Sequence, residues 1–179
     1  MESIGENHPL RRFFSGLVEH AFCAEVGVCD PCLTGYVADL LVNFTHIERL
    51  NSIRMESGRR LEQIATMLAM SADEKPATLA ERDRAVYRNI GDYTLFWAGV
   101  YPEQLKRARR NAEDVLLDYV SQGKRSYAIV ATLVDPDETP PSRLFRRLSE
   151  DFESCLHGLG LVRRGLEEIQ PPDQRDIIL

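Results

Sequence analysis

This sequence lacks the features of a membrane protein and of a disulfide-rich secreted protein. No apolar stretch approaches the ~20 residues that a membrane-spanning helix needs. Residues 1–8 are polar, without the basic and apolar segments of a signal peptide. Only four cysteines occur among 179 residues. Without a signal peptide or a membrane span we expect a cytoplasmic protein, and in that compartment the four thiols would stay reduced.

The sequence also lacks the positive charge that is typical of nucleic-acid-binding proteins. Its formal net charge is −6, and only three of its 22 basic residues are lysines. The basic clusters at 106–110, 143–147 and 163–164 lie in helical patterns that also contain carboxylates, so we interpret them as solvated helix faces. We expect neither a nucleic-acid partner nor a membrane partner.

Familiar catalytic and cofactor motifs are missing as well. The sequence contains no Walker phosphate loop, no His-Glu-x-x-His zinc motif, no Gly-x-Ser-x-Gly nucleophile elbow and no Glu-x-x-His pair of a di-iron bundle. Their absence favours a non-enzymatic protein without a cofactor.

What the sequence does contain is helical periodicity along most of its length. Apolar residues recur at intervals of three and four, which is the spacing of one helix face. The length and the 44% apolar fraction fit one hydrophobic core. We predict an all-α fold, a compact bundle of six to seven helices over residues 9–170. Residues 1–8 are predicted to be a flexible N-terminus and residues 171–179 a C-terminal tail.

The centre of this bundle is predicted to be a buried helix around residues 77–101. Residues 93–101 are apolar on every side, and a helix without a polar face is normally buried. Pro102 cannot continue the helical hydrogen bonding, so a new helix begins there. Further predictions are a first helix ending near Gly27, a second starting at Asp30-Pro31, a helical stretch from Gly58, a stop or kink at Gly123, a short helix or strand over 126–134, and a last helix from about 142 to 169.

Two acidic residues lie on the predicted central helix. Asp83 falls on its apolar face, and Asp92 directly precedes the apolar stretch. A buried carboxylate needs a partner, and Arg82, Arg84, Arg88 or another helix would supply it in a salt bridge that fixes helix register. The alternative is a polar group in a ligand pocket or in an active site. That candidate ligand-binding set is Asp83, Tyr87, Asp92, Tyr93, Trp97 and Tyr101.

A cluster of thiols surrounds the turn between the first two predicted helices. His20, Cys23, Cys29 and Cys32 are the residue types that bind zinc in a tetrahedron. The Cys29-x-x-Cys32 spacing also occurs in redox-active pairs. The third interpretation is structural, with thiols packed near an interhelical turn. Zinc is the cofactor that this cluster would bind.

Two segments carry a resemblance to known proteins. Residues 89–103, with the pattern Asn-Ile-Gly-Asp-Tyr-Thr-Leu-Phe-Trp-Ala-Gly-Val-Tyr-Pro-Glu, and residues 36–44 resemble parts of an uncharacterised bacterial all-helical protein family of unknown function. The resemblance implies a bacterial cytosolic protein with an all-α fold, and it implies no activity.

Together these observations predict a non-enzymatic interaction or regulatory module, with self-association or a protein partner. The alternative is a metal- or small-ligand-binding bundle that uses the cysteine cluster or a pocket beside Trp97.

Overall fold

The computed structural model describes residues 8–51, 78–107, 112–133 and 139–169. Within these ranges every regular element is a helix and none is a strand, which confirms the all-α prediction. The elements are α1 (Pro9–Glu19), a π-helical segment (His20–Val26), α2 (Pro31–Asn51), α3 (Leu79–Val100), α4 (Pro102–Arg107), α5 (Ala112–Leu133), α6 (Ser142–Glu150) and α7 (Phe152–Ile169). The helix predicted from Gly58, the predicted flexible start and the predicted C-terminal tail lie outside the described residues.

Local capping explains where two of the long helices begin. The Asp30 carboxylate accepts hydrogen bonds from the backbone N–H groups of Cys32 (2.9 Å) and Leu33 (3.4 Å), so the predicted start of α2 is confirmed. At α3, the Thr78 hydroxyl accepts from the Glu81 N–H while the Glu81 carboxylate accepts from the Thr78 N–H. This reciprocal pair satisfies two donors that the first turn leaves open.

The predicted stop or kink at Gly123 is wrong, and residues 126–133 continue α5 as one helix from Ala112 to Leu133. A Cβ atom at Gly123 would lie 2.4 Å from a ring carbon of Phe152. The glycine therefore permits close helix packing, which sequence reasoning mistook for a helix breaker.

The predicted last helix is also divided in the structure. Asp151 leaves helical geometry (φ −96°, ψ 22°) between α6 and α7. On either side of this bend, Leu148 and Phe152 are both completely buried. The bend redirects the chain so that both helices place apolar side chains in the core.

The second half of α3 occupies the middle of the core, as predicted for a buried central helix. From Ile90 to Val100 every residue except Asp92 is buried. Helix α3 packs most extensively against α5 and next against α7, and it also contacts α2, while α6 packs on α5 and α1 packs on α2. The helices in the described part of the chain include none with the length and hydropathy needed to cross a membrane.

Candidate functional site

A carboxylate in the core links three helices. Oδ1 of Asp92 in α3 accepts hydrogen bonds from the hydroxyl of Tyr36 in α2 (2.7 Å) and from the hydroxyl of Tyr127 in α5 (2.8 Å). Only 18% of the Asp92 side chain is exposed. Buried polar groups need such partners, so this one oxygen joins α2, α3 and α5.

The position next to Asp92 has to be glycine for this arrangement to form. A Cβ atom at Gly91 would lie 2.6 Å from Cε1 of the Tyr127 ring, and the ring is completely buried. A side chain at position 91 would force this buried ring to move. Gly91 therefore lets α5 approach α3 closely enough for the Tyr127 hydroxyl to reach the carboxylate.

Arg88 lies one helical turn before Asp92 and completes the cluster. Its Nε donates a 3.0 Å hydrogen bond to the Tyr36 hydroxyl and lies 3.8 Å from Oδ2 of Asp92. Its guanidinium carbon lies 5.2 Å from the ring centroid of Tyr36 and 5.9 Å from that of Phe145. We call Tyr36, Arg88, Asp92 and Tyr127 the Asp92 cluster.

The outer edge of the Arg88 guanidinium has no protein partner among the described residues. Neither terminal amino group of Arg88 donates a hydrogen bond to a described residue, and 43% of the side chain is exposed. The Arg88 guanidinium is thus oriented by Nε and by two aromatic rings, while its remaining donors are available to another molecule.

The pKa values in the cluster indicate hydrogen bonding more than proton transfer. Burial raises the pKa of Asp92, although the Arg88 charge and the hydroxyls of Tyr36 and Tyr127 act in the opposite direction. Burial, together with the Asp92 charge, raises the pKa of both tyrosines well above the ordinary value. Both hydroxyls therefore stay protonated at neutral pH and act as donors.

The tyrosines of the cluster were not among the predicted site residues. Tyr36 belongs to an apolar helix face, and Tyr127 lies in a segment that the sequence left open between helix and strand. A buried tyrosine needs a partner for its hydroxyl, and this is the one signal that would have singled them out. Arg88 was one of three arginines considered as a partner for the carboxylate.

The aromatic members of the predicted ligand set form a separate packed group. The ring centroids of Tyr93 and Trp97 are 6.0 Å apart and those of Trp97 and Tyr101 are 5.4 Å apart. All three residues are buried. Nε1 of Trp97 has no hydrogen-bond acceptor among the described residues, and none of their hydrogen bonds joins Asp92 to these rings.

Burial of Asp83 was predicted from its helix face, and this prediction is wrong. Asp83 is exposed, and so is Leu79 on the same predicted face. The reason is that burial along α3 begins at Ile90, so the face that carries Asp83 meets no core over the first turns. Tyr87, also in the predicted set, is partly buried against the core.

The structure does not assemble the predicted zinc ligands. His20, Cys23, Cys29 and Cys32 are all exposed. In the ranges that the structure describes, no group of three or more His, Cys, Asp or Glu side chains is arranged to hold a metal ion. Cys32 lies in the first turn of α2, while Cys23 contacts the preceding turn through the Val28 carbonyl (3.8 Å).

A second arginine cluster lies at the other end of α3. Arg163 of α7 donates hydrogen bonds to the Val100 carbonyl (2.7 Å), to the Glu103 carboxylate and to the Glu167 carboxylate (2.9 Å). Its guanidinium carbon is 5.5 Å from the Tyr101 ring centroid. Arg163 thereby fastens α7 to the junction of α3 and α4, and we call this arrangement the Arg163 clasp.

Comparison with known proteins identifies no relative of this chain. No protein family, curated protein or solved structure matches the chain.

Proposed function

We propose that this protein is a non-enzymatic binding protein whose ligand presents a carboxylate or phosphate group to Arg88. The observation that carries the proposal is the state of the Arg88 guanidinium. It is fixed through Nε and stacked near two rings, yet its terminal amino groups have no partner among the described residues. A planar guanidinium with free donors suits bidentate binding of a carboxylate or phosphate.

Preorganisation supports a binding role for this arginine. A free arginine side chain loses rotamer freedom when it binds a ligand, and that loss costs affinity. The Tyr36 hydroxyl and the rings of Tyr36 and Phe145 restrict Arg88 before any ligand arrives. Asp92 limits the attraction of free anions, because its own charge lies 3.8 Å from Nε. We therefore expect a ligand that also contacts other groups of the protein, so that its affinity does not depend on charge alone.

The chemistry around Arg88 supports binding over catalysis. The raised pKa values of Tyr36 and Tyr127 make these hydroxyls poor bases at neutral pH. Burial raises the pKa of Cys155 to about 12, so this thiol remains protonated and is a poor nucleophile. These groups are therefore not activated for reaction with a ligand bound at Arg88.

The experiment uses two bare anions as probes, inorganic phosphate and acetate, against sodium chloride at the same ionic strength. The purified protein is labelled with ¹⁵N-arginine, and the Nε–H signals are followed during titration. We expect a saturable shift of the Arg88 signal with at least one anion, at roughly millimolar affinity. The stronger probe identifies the anionic group.

The matched variants are Arg88→Met and Arg164→Met, since Arg164 is an exposed arginine on another helix. A thermal melt with increasing probe should show stabilisation of the wild type and of Arg164→Met, because a ligand that binds the native state raises Tm. Arg88→Met should show none. If neither probe gives a saturable shift, or if Arg88→Met responds like the wild type, Arg88 is not an anion site.

We also propose a bacterial, cytoplasmic setting, on the resemblance of residues 36–44 and 89–103 to bacterial helical proteins. Self-association or a protein partner stays a prediction from the sequence. Among the described residues, large exposed apolar side chains are scattered over four helices, at Phe13, Leu79, Leu117, Leu133 and Ile169. Single exposed apolar residues are common on monomers, so sedimentation velocity has to decide this prediction.

A further inference from the structure

Two exposed thiols meet at the turn between the π-helical segment and α2. Cys23 and Cys29 are both exposed and both reduced. The sulfur of Cys23 lies 3.8 Å from the carbonyl oxygen of Val28, which is the residue directly before Cys29. Cys29 is also close enough to raise the pKa of the Cys23 thiol. The two thiols therefore lie close together at this turn and are accessible to solvent.

The backbone of this turn produces the contact. The π-helical winding of residues 20–26 ends at Gly27, whose φ of 81° lies in the left-handed region that glycine adopts readily. The Val28 N–H then bonds back to the Phe22 carbonyl (2.9 Å). The chain thus reverses at Gly27 and passes Cys23 again at Val28, directly before Cys29.

The other two cysteines are placed differently. Cys32 is exposed, but it lies in the first turn of α2, where its backbone N–H is bound to Asp30. Cys155 is completely buried in the core. The structure thus places Cys23 against the turn that carries Cys29, a pairing that the Cys29-x-x-Cys32 spacing did not suggest.

We infer that Cys23 and Cys29 form an oxidation site, which a hydroperoxide converts to an intramolecular disulfide. The site is independent of Arg88 and of the proposed ligand. In a reducing compartment such a bond is transient and is typical of redox sensing.

The chemistry balances with hydrogen peroxide as the oxidant. The Cys29 thiolate attacks one peroxide oxygen, the O–O bond breaks, and Cys29 becomes a sulfenic acid while hydroxide leaves and is protonated to water. The Cys23 thiolate then attacks the Cys29 sulfur, the S–O bond breaks, and a second water leaves. In sum, two thiols and one peroxide give one disulfide and two waters.

The order of attack follows from the surroundings of Cys23. The Cys29 neighbour and the Glu19 charge raise the pKa of Cys23, so its thiolate is scarce at neutral pH. A scarce thiolate reacts more slowly with peroxide, which leaves Cys29 as the first site of oxidation and Cys23 as the resolving thiol. A dithiol reductant reverses the bond by thiol–disulfide exchange.

The test treats the reduced full-length protein with hydrogen peroxide, stops the reaction with catalase, and maps disulfides by mass spectrometry without reduction. We expect loss of two of the four thiols, a Cys23–Cys29 bridge within one chain, and full recovery with dithiothreitol. Cys32→Ser should behave like the wild type. Cys23→Ser should stop at a sulfenic acid on Cys29, which dimedone traps.

Several outcomes would overturn the inference. A bridge that includes Cys32, a bridge between chains, or oxidation of Cys29 to sulfinic acid with Cys23 still reduced would show that these two thiols do not pair. Unchanged thiols after peroxide treatment would show that the turn is inert. Because both cysteines are exposed, the serine variants should fold, and circular dichroism checks this directly.

Discussion

The two ends of the buried half of α3 carry the same chemical pair, an arginine beside a tyrosine ring, in two different states. Arg163 lies 5.5 Å from the Tyr101 ring and donates hydrogen bonds to one backbone carbonyl and two carboxylates. Arg88 lies 5.2 Å from the Tyr36 ring and donates one hydrogen bond, to a hydroxyl. The exposed fraction of the side chain is 27% for Arg163 and 43% for Arg88.

This difference shows what stacking alone can and cannot indicate. An arginine whose donors bind several protein acceptors acts as a structural tie, and Arg163, which uses both Nε and Nη1 in this way, is such a tie. Arg88 is held through Nε, and its terminal amino groups lack a partner among the described residues, which is the basis of the proposed anion site. The number of donors used, and the nature of their acceptors, separate the two roles better than the ring contact does.

The largest expected effect comes from a substitution at Gly91, which packs against the Tyr127 ring of the Asp92 cluster. Gly91→Ala places a methyl group within 2.6 Å of the Tyr127 ring, and the buried ring has to shift. Overpacking of this kind costs about 3 kcal/mol of unfolding free energy, measured by urea denaturation.

The control for this variant is Gly35→Ala in α2, where an added Cβ meets no atom within 4 Å. Alanine should stabilise that helix by up to about 1 kcal/mol. Equal effects of the two variants would show that helix propensity, not the contact with Tyr127, governs position 91.

The next effect separates the two arginines. Arg163→Met should lower the unfolding free energy by about 2 kcal/mol, because it removes several charged hydrogen bonds and leaves acceptors without a donor. It should leave anion binding at Arg88 unchanged. Arg88→Met should cost about 1 kcal/mol or less, since its side chain is partly exposed, and should abolish binding. Denaturation and anion titration of both variants measure these effects. If Arg88→Met were the less stable variant and Arg163→Met the one that lost anion binding, the two arginines would not have the roles assigned to them.

A smaller effect concerns the pH dependence of the Asp92 cluster. Because the folded-state pKa of Asp92 is raised mainly by burial, the protonated carboxyl favours the folded state. Its contribution is present below the ordinary carboxyl pKa and is lost as the pH rises through the folded pKa.

The variant Asp92→Asn keeps an acceptor for both tyrosines and removes the titration. From pH 4 to pH 7 the wild type should therefore lose stability relative to Asp92→Asn. The loss amounts to about 1.4 kcal/mol for each tenfold difference in proton affinity between the folded and the unfolded carboxylate. Urea denaturation of both proteins across this pH range measures it. A relative gain over the same range would mean that Arg88 and the tyrosines outweigh burial.

The smallest expected effect concerns a surface ion pair, whose contribution to stability depends on pH in the opposite direction. Lys124 donates to the Glu153 carboxylate (2.8 Å) and lowers its pKa. This pair stabilises the folded state above the ordinary carboxyl pKa and loses that effect as the pH falls through the folded pKa. Glu153→Gln should cost about 0.5 kcal/mol at neutral pH, less in high salt, and nothing near pH ~2.

Sequence reasoning succeeded where the signal was local. The start of α2 at Asp30-Pro31 and the burial of residues 93–101 follow from capping chemistry and from the absence of a polar face. It failed at Gly123, where the same glycine that breaks an isolated helix permits close packing against Phe152. Periodicity gives the face of a helix but not the extent of its neighbours, and this is why Asp83 was wrongly placed in the core.

The sequence by itself therefore determined the helical class, the buried half of the central helix and the presence of a carboxylate, Asp92, beside it. Only the tertiary structure decided that this carboxylate meets hydroxyls from α2 and α5. It also decided that Nε and Nη1 of Arg163 are bound to protein acceptors, whereas Arg88 donates through Nε alone among the described residues. The physical reason is that partners on different helices depend on how closely and at what rotation those helices pack. That geometry is set by contacts such as Gly91 against Tyr127, which lie far apart in the sequence.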